Sequence, residues 1–245
     1  MTLPWTIAMA AVGALLGAGQ RGLVFHLSVA DGEPGRHSCP ACARRVLPAR
    51  RFAAAAVLPY RCPGCAARLG SPPLVPELVT AAVVGCLALT AGSGWELLTT
   101  ATLFTLCTAL ALVDLAVHRL PDLLTLPAHL LTLVLLALAA AADGQGWGPW
   151  IRALLGGLAL AAVYFGSALA SPASMGLGDA KLALALGSVL AWHSWTAVFQ
   201  GTVLAFLLGG GYAVLLLLAG RAGRKASIAF GPFMIAGALL ALLLA

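Results

Sequence analysis

Two groups of residues in this chain have the types and spacing to do chemistry. The first is four cysteines in two close pairs, Cys39-Pro-Ala-Cys42 and Cys62-Pro-Gly-Cys65, separated by nineteen residues. Each C-x2-C turn lets two thiolates converge on one ion, and a spacer of this length lets the second turn close a tetrahedron, the pattern of a zinc site. The intervening Pro and Gly favour the tight turn, and nearby arginines favour the thiolate form. Four protein ligands leave no open position, so a zinc held here organises a small domain and does not activate water. A redox pair or two disulfides are the alternatives. Cys86 and Cys107 lie in apolar runs and read as small core residues.

The second group is carboxylates, of which the chain has only eight. Asp31, Glu33, Glu96 and Asp143 lie in connections, and Glu77 opens a helix behind Pro76, where a negative charge suits the dipole. Asp114 differs, because it sits inside the apolar run Ala109-Leu-Ala-Leu-Val-Asp114-Leu-Ala-Val117. An Asp in a membrane helix costs on the order of 2.5 to 3.5 kcal/mol near the centre and less near an end, so function is its default reading. Asp179 follows Met175-Gly176-Leu177-Gly178 and precedes Lys181 by two residues. Alone it reads as an N-cap, but the two glycines permit the backbone of an extended strand to come close. Asp122 follows Pro121 in Leu120-Pro121-Asp122 and reads as a capping or supporting residue.

The surrounding composition dictates what positions these groups. Of 245 residues 61% are hydrophobic and 9% charged, and the mean hydropathy is +0.99. Apolar runs of about twenty residues at this composition define an all-α polytopic membrane protein, since lipid offers no partner to an unpaired backbone amide. Soluble enzymes, secreted disulfide scaffolds and disordered chains are excluded. Runs at 3–19 (extending toward 30), 74–91, 97–117, 123–142, 151–170, 180–192, 195–219 and 226–245 predict eight transmembrane helices, the sixth being short. The chain divides into a first helix (1–30), a segment carrying the cysteines (31–76) and a membrane domain (77–245). The first run lacks a basic leader and continues past Arg21, so it reads as a retained helix.

Seven arginines lie between 31 and 76, and Arg119, Lys181, Arg221, Arg224 and Lys225 fall in alternate connections on the same side. Arg152 is the one basic residue on the opposite side. The positive-inside rule then makes the cysteine segment cytoplasmic. The net charge of +6 is a signal of topology and of attraction to anionic lipid. Basic residues are not interleaved with aromatics, so nucleic acid is not an expected partner. His118 and Arg119 mark an interface, and His26, His37, His129 and His193 share no ligand spacing.

In this topology Asp114 leaves the membrane, and Asp179 enters it, on the same cytoplasmic side, so the two carboxylates share a depth and can form a dyad. Two close carboxylates do not both ionise readily: one stays protonated to polarise a carbonyl while the other activates water. Asp114 lies near a helix C-terminus and Asp179 near an N-terminus beside Lys181. That asymmetry predicts Asp179 as the base and Asp114 as the acid.

These motifs together resemble those of the prepilin peptidases, the type IV leader peptidases within the GxGD class of intramembrane aspartyl proteases. The matching stretches are Asp114 through Leu120-Pro121-Asp122 to Leu124-Thr125-Leu126-Pro127, then Gly176-Leu177-Gly178-Asp179-Ala180-Lys181, then Phe230-Gly231-Pro232-Phe233. The two cysteine pairs match the zinc-bearing branch. The resemblance implies an aspartic endopeptidase of the bacterial inner membrane that cleaves prepilin or pseudopilin leaders at the cytoplasmic face, in type IV pilus assembly or protein secretion. Asp114 and Asp179 would be its catalytic pair, with Gly176, Gly178, Lys181 and Asp122 supporting. Many members also N-methylate the new amino terminus with S-adenosylmethionine. Those members typically carry an Asn-Val-x-x-x-Arg-Leu-Pro-like stretch where this chain reads Phe25-His26-Leu27-Ser28-Val29-Ala30-Asp31-Gly32-Glu33-Pro34, and no glycine-rich nucleotide loop is present.

Two other classes use some of the same features. An ion-coupled membrane transporter also needs intramembrane carboxylates, but places them near mid-membrane and often in related repeats. A zinc-dependent membrane scaffold needs the cysteines but not Gly176-x-Gly178-Asp179.

Overall fold

The computed structural model describes residues 3–30, 32–47, 59–144, 146–170, 176–220 and 228–244. Asp31, Arg50, Arg51, Met175, Arg221, Arg224 and Lys225, all used in the sequence reading, lie outside these. Eight α-helices occur among the described residues: α1 (Leu3–Leu27), α2 (Val75–Thr90), α3 (Gly94–Val117), α4 (Asp122–Ala142), α5 (Gly148–Ala170), α6 (Leu177–His193), α7 (Trp195–Leu218) and α8 (Gly231–Leu244). Each falls on one of the eight apolar runs.

The boundaries have local causes. The Ser93 hydroxyl accepts from Glu96 N at 3.2 Å, and the Ser194 hydroxyl from Ala197 N at 3.0 Å, so α3 and α7 each begin on a serine cap. His118 ends α3 in a left-handed conformation, its amide bonded to Asp114 O. α8 begins at Gly231, five residues later than the apolar run predicts. Pro232 has no N–H to give and suits a first turn, and Phe230 O accepts the amides of Phe233 and Met234.

Five helices, α1, α3, α4, α5 and α7, are long and apolar enough to cross a membrane. The remaining three rise less: at about 1.5 Å per residue α2, α6 and α8 measure about 24, 26 and 21 Å. α3 and α6 form the centre of the bundle. α3 packs against α1, α2, α4 and α8, and α6 against α4, α5, α7 and α8. Leu103, Phe104 and Leu110 of α3 and Leu182, Leu186 and Leu190 of α6 are fully buried there. The closest helix pair is α5 with α6, where small residues replace side-chain packing. A Cβ added at Gly157 would stand 2.7 Å from Leu184 O, and one at Gly187 2.7 Å from Gly156 O.

Between α1 and α2 the chain folds into a small cysteine-bearing unit built from two similar halves. Ser38 pairs with Arg45 and Arg61 with Arg68 in isolated antiparallel bridges. In each half the residue after the second cysteine, Ala43 or Ala66, takes positive φ and returns its amide to the first cysteine's carbonyl. Leu47, Leu69, Cys39 and Cys62 bury against Phe25 near the end of α1, and Arg36 lies over the Phe25 ring at 5.5 Å. The unit is thereby docked on the membrane bundle.

At the opposite face the ends of α3 and α6 are pinned. Arg152 of α5 donates to Ala191 O at 2.6 Å and to Trp192 O and His193 O, filling carbonyls that the end of α6 leaves open. Glu96 faces His193 at 3.4 Å and accepts from Gly92 N. Within the bundle, Arg21 and Glu77 form an ion pair at 2.6 Å with both side chains only 14% exposed. Glu77 keeps the place in the first turn of α2 that the sequence predicts, and Arg21 of α1 is its partner across the two helices.

Removing one member of that pair strands the other in an apolar setting. Arg21→Met is expected to lower stability by about 3–5 kcal/mol, and the Arg21→Met/Glu77→Met double variant to recover most of it. Thermal unfolding of the detergent-solubilised variants measures both.

Candidate active site

Asp114 lies one turn from the end of α3 and Asp179 in the first turn of α6. Both are buried, at 5% and 7% exposure, among otherwise apolar residues. A buried carboxylate needs donors, and each of these receives one from the backbone. Gly231 N, the first amide of α8, donates to Asp114 Oδ2 at 3.0 Å. Gly176 N donates to Asp179 Oδ2 at 3.1 Å, while Asp179 N returns a bond to Gly176 O. Asp179 is therefore the third residue of the first turn, not its cap, and Gly176 takes the cap position with extended φ.

Leu120 is the wedge around which the two acids are arranged. It belongs to the short connection between α3 and α4 and is buried. A Cβ added to Gly178 would lie 3.0 Å from Leu120 Cβ, and one added to Gly231 would meet Leu120 Cδ2 at 3.4 Å and Asp114 Oδ2 at 2.8 Å. The glycine before Asp179 and the glycine that holds Asp114 thus touch the same leucine, and the two carboxylates lie within each other's electrostatic reach. The absence of a side chain at Gly231 is what lets the α8 amide come to the carboxylate.

The predicted supporting residues Lys181 and Asp122 are also here, bonded to one another. Lys181 Nζ grips both oxygens of Asp122, at 2.6 and 2.8 Å, tying the start of α4 to the first turn of α6. The pair is exposed, 40% for Lys181 and 57% for Asp122, so it guides geometry more than it adds stability. Asp122 does not cap: α4 starts on Pro121 with no side-chain bond. The connection is further anchored by Arg119, which donates to Val29 O at 3.1 Å and Ala30 O at 2.7 Å beyond the end of α1. The face that carries the cysteine unit is therefore also the face of the two acids.

These contacts bear on the asymmetry expected between the acids. The α8 amide at Asp114 opposes the unfavourable C-terminal dipole of α3, and the Lys181 charge is directed to Asp122. Each acid has one backbone donor at the start of a helix, α8 for Asp114 and α6 for Asp179.

Cys39, Cys42, Cys62 and Cys65 bring their four sulfurs within 4.8 Å of one another, an arrangement that could hold a metal ion. Cys39 and Cys65 stand 3.6 Å apart, as do Cys42 and Cys62, and all four thiols are free, so the disulfide alternative does not describe this geometry. The Gly64 amide, 3.4 Å from Cys62 Sγ, is the main cause that draws the Cys62 thiol down to about 6. At Cys65 the Ala67 amide pulls the same way, but the Cys42 thiol, desolvation and the other two thiols outweigh it and push the group up to about 12. Crowded thiols resist joint ionisation unless a cation joins them.

Two features of this region escaped the sequence reading. Gly231 was visible only as part of Phe230-Gly231-Pro232-Phe233, with nothing local to say that its amide serves Asp114. Tyr164 of α5, fully buried, packs its ring 6.1 Å from that of Phe230.

The sequence model of the Type IV leader peptidase family matches residues 101–214, a span that includes Asp114, Asp122 and the Gly176–Lys181 stretch. The prepilin leader peptidase/N-methyltransferase of Aeromonas hydrophila is 33% identical over 187 residues, covering 75% of this chain and 62% of the relative. Relatives of the same name in Pseudomonas aeruginosa, 31% identical over 84% of this chain and 70% of the relative, and Bacillus subtilis, 29% identical over 89% and 84%, also match. The matched region spans less than two thirds of the length of the Aeromonas relative. No solved structure matches the chain. With 31% identity across more than two thirds of the Pseudomonas relative, and with the family's span covering both buried acids, the chain belongs to the type IV leader peptidase family.

Proposed function

We propose that this chain is a prepilin leader peptidase, an aspartic endopeptidase that uses Asp114 and Asp179 to cut the basic leader from prepilin or pseudopilin proteins. The observation that carries the reading is the approach of two buried carboxylates, from different helices, around Leu120 at one end of an apolar bundle. Family membership supports the substrate class. The distribution of arginine and lysine supports a cytoplasmic position for the acids and for residues 31–76, in a bacterial inner membrane.

In the proposed reaction one carboxyl is protonated and the other ionised. The ionised group takes a proton from water as its oxygen bonds to the scissile carbonyl carbon, and the protonated group gives its proton to the carbonyl oxygen. Collapse of the tetrahedral species breaks the C–N bond, and a proton passes to the departing amine. The Gly231 and Gly176 amides hold each carboxylate in place during these transfers. Lys181 and Asp122 act as positioning residues, fixing the first turn of α6 against α4. Gly176 and Gly178 present a backbone that a substrate strand can approach, and the junction between a basic leader and an apolar helix fits a site at the membrane edge. Mid-membrane ion transport is not favoured by acids placed one turn from helix ends.

The four thiols fit zinc. A tetrahedron with sulfur about 2.3 Å from the ion has edges of about 3.8 Å, close to the two sulfur–sulfur distances of 3.6 Å. Such an ion would tie the two halves of the unit that rests on Phe25. N-methylation, the second activity in the relatives' names, would require S-adenosylmethionine. Residues 25–34 lack the stretch associated with it, and Phe25 and His26 pack instead against the cysteine unit and Gly35, so the proposal is confined to peptide cleavage.

Three outcomes are expected. Asp114→Asn or Asp179→Asn abolishes the gel shift of a co-expressed prepilin while leaving membrane insertion intact; normal processing by either variant contradicts the dyad. Gly231→Ala, whose Cβ would stand 2.8 Å from Asp114 Oδ2, lowers kcat by at least about tenfold, since misplacement of a reacting group on the ångström scale carries penalties of up to about a hundredfold. Elemental analysis of the purified protein finds one zinc per chain, lost in Cys39→Ser and Cys62→Ser; full zinc retention in both refutes the four-thiolate site.

A further inference from the structure

Leu120 is a connection residue that the fold buries. Connections usually run over the surface, and His118, at the start of this one, is exposed. Leu120 instead keeps only 8% of its surface exposed and joins the central core with residues of α3, α6 and α8. The chain is tied down on both sides of it. Arg119 donates to Val29 O and Ala30 O, Pro121 O accepts the amides of Leu124 and Thr125, and Asp122 is held by Lys181. The backbone that carries the leucine is therefore seated before any substrate arrives.

The leucine side chain forks, and each tip meets the support of a different acid. A Cβ added at Gly178 would stand 3.0 Å from Leu120 Cβ and 3.6 Å from Cδ1, and one added at Gly231 would stand 3.4 Å from Cδ2. Gly178 immediately precedes Asp179, and Gly231 N holds Asp114 Oδ2. The start of α6 thus bears on one methyl and the start of α8 on the other. Both contacts are made with glycine, which has no side chain to adjust. The width of the fork passes directly to the spacing of the two helix starts.

We propose that Leu120 is a positioning residue for peptide cleavage, its two δ-methyls acting as a spacer that sets the separation of the Asp114 and Asp179 carboxyls. This role rests on the Asp114/Asp179 reading. One carboxyl must reach the attacking water while the other reaches the oxygen of the same scissile carbonyl, so their separation enters the transition state. Leu120 itself exchanges no proton and forms no bond. A residue that acts on the transition state alone changes kcat and leaves substrate binding nearly unchanged. An unbranched side chain of similar volume can fill the same space, but it presents one tip and cannot hold both glycines.

Leu120→Met keeps the volume and removes the fork. Exchanges of this kind are well tolerated where a residue only fills a core, so the thermal midpoint should change little. With detergent-solubilised full-length protein and a purified prepilin substrate, kcat should nevertheless fall at least about tenfold, with KM within about twofold. Leu120→Ala, which removes both tips, should lower kcat further and lower the midpoint as well. Wild-type kcat in Leu120→Met overturns the proposal, and so does a raised KM at unchanged kcat. A rate loss in Leu120→Met that comes with a midpoint as low as that of Leu120→Ala assigns the leucine to packing and overturns it too. Asp114→Asn measured alongside separates the two readings: if it is inactive while Leu120→Met cleaves at the wild-type rate, the dyad stands and the spacer falls; if it cleaves, the dyad itself fails.

Discussion

A carboxylate buried in an apolar helix bundle must be supplied with donors by the chain itself, and the rest of this structure follows from how that is done twice. The Asp114 donor comes from the first amide of α8, 117 residues away in sequence. The Asp179 donor comes from the cap of its own helix, three residues away. One acid is served by local geometry and the other by tertiary packing. The second arrangement requires α8 to begin at Gly231, Leu120 to fill the space between, and no side chain at the contact.

The parts outside the membrane bundle act on the same region. The cysteine unit rests on Phe25 near the end of α1, and Arg119 joins the residues just beyond that end to the connection holding Leu120. A metal that tightens the cysteine unit would therefore stiffen the end of α1 and, through Arg119, the α3–α4 connection that carries Leu120. Its link to the acids is mechanical rather than chemical. At the other face Arg152 performs a related task, holding the carbonyl end of α6 so that the helix carrying Asp179 is fixed at both ends.

Much of this was legible in the sequence. Eight apolar runs foretold the eight described helices, and Asp114, Asp179 and the cysteine pairs stood out because charge and cysteine are scarce or regularly spaced. The interactions that were not legible join residues with no local relation. Arg21 is only a charge within the first apolar run and Glu77 a helix-start residue until the packing of α1 on α2 pairs them. Asp122 reads as a capping or supporting residue because it follows proline, and only the meeting of α4 with α6 reveals Lys181 as its partner. The expected division between acid and base weighed each aspartate against the dipole of its own helix, and the sequence offered no sign that an amide of another helix reaches Asp114. Tyr164 carried no signal at all, since one tyrosine in an apolar run is ordinary.

The helices that serve the acids are also short. α6 and α8, at about 26 and 21 Å, fall below the hydrocarbon thickness of about 30 Å that a bilayer presents. α6 is ringed by α4, α5, α7 and α8, so those neighbours, more than lipid, surround its ends. Water at the surface would then stand closer to Asp179 and the Gly231 amide than it would to the same turn of a bilayer-spanning helix of full length. Hydrolysis consumes water, and a short central helix would bring the carboxylates within its reach without requiring a channel through the bundle.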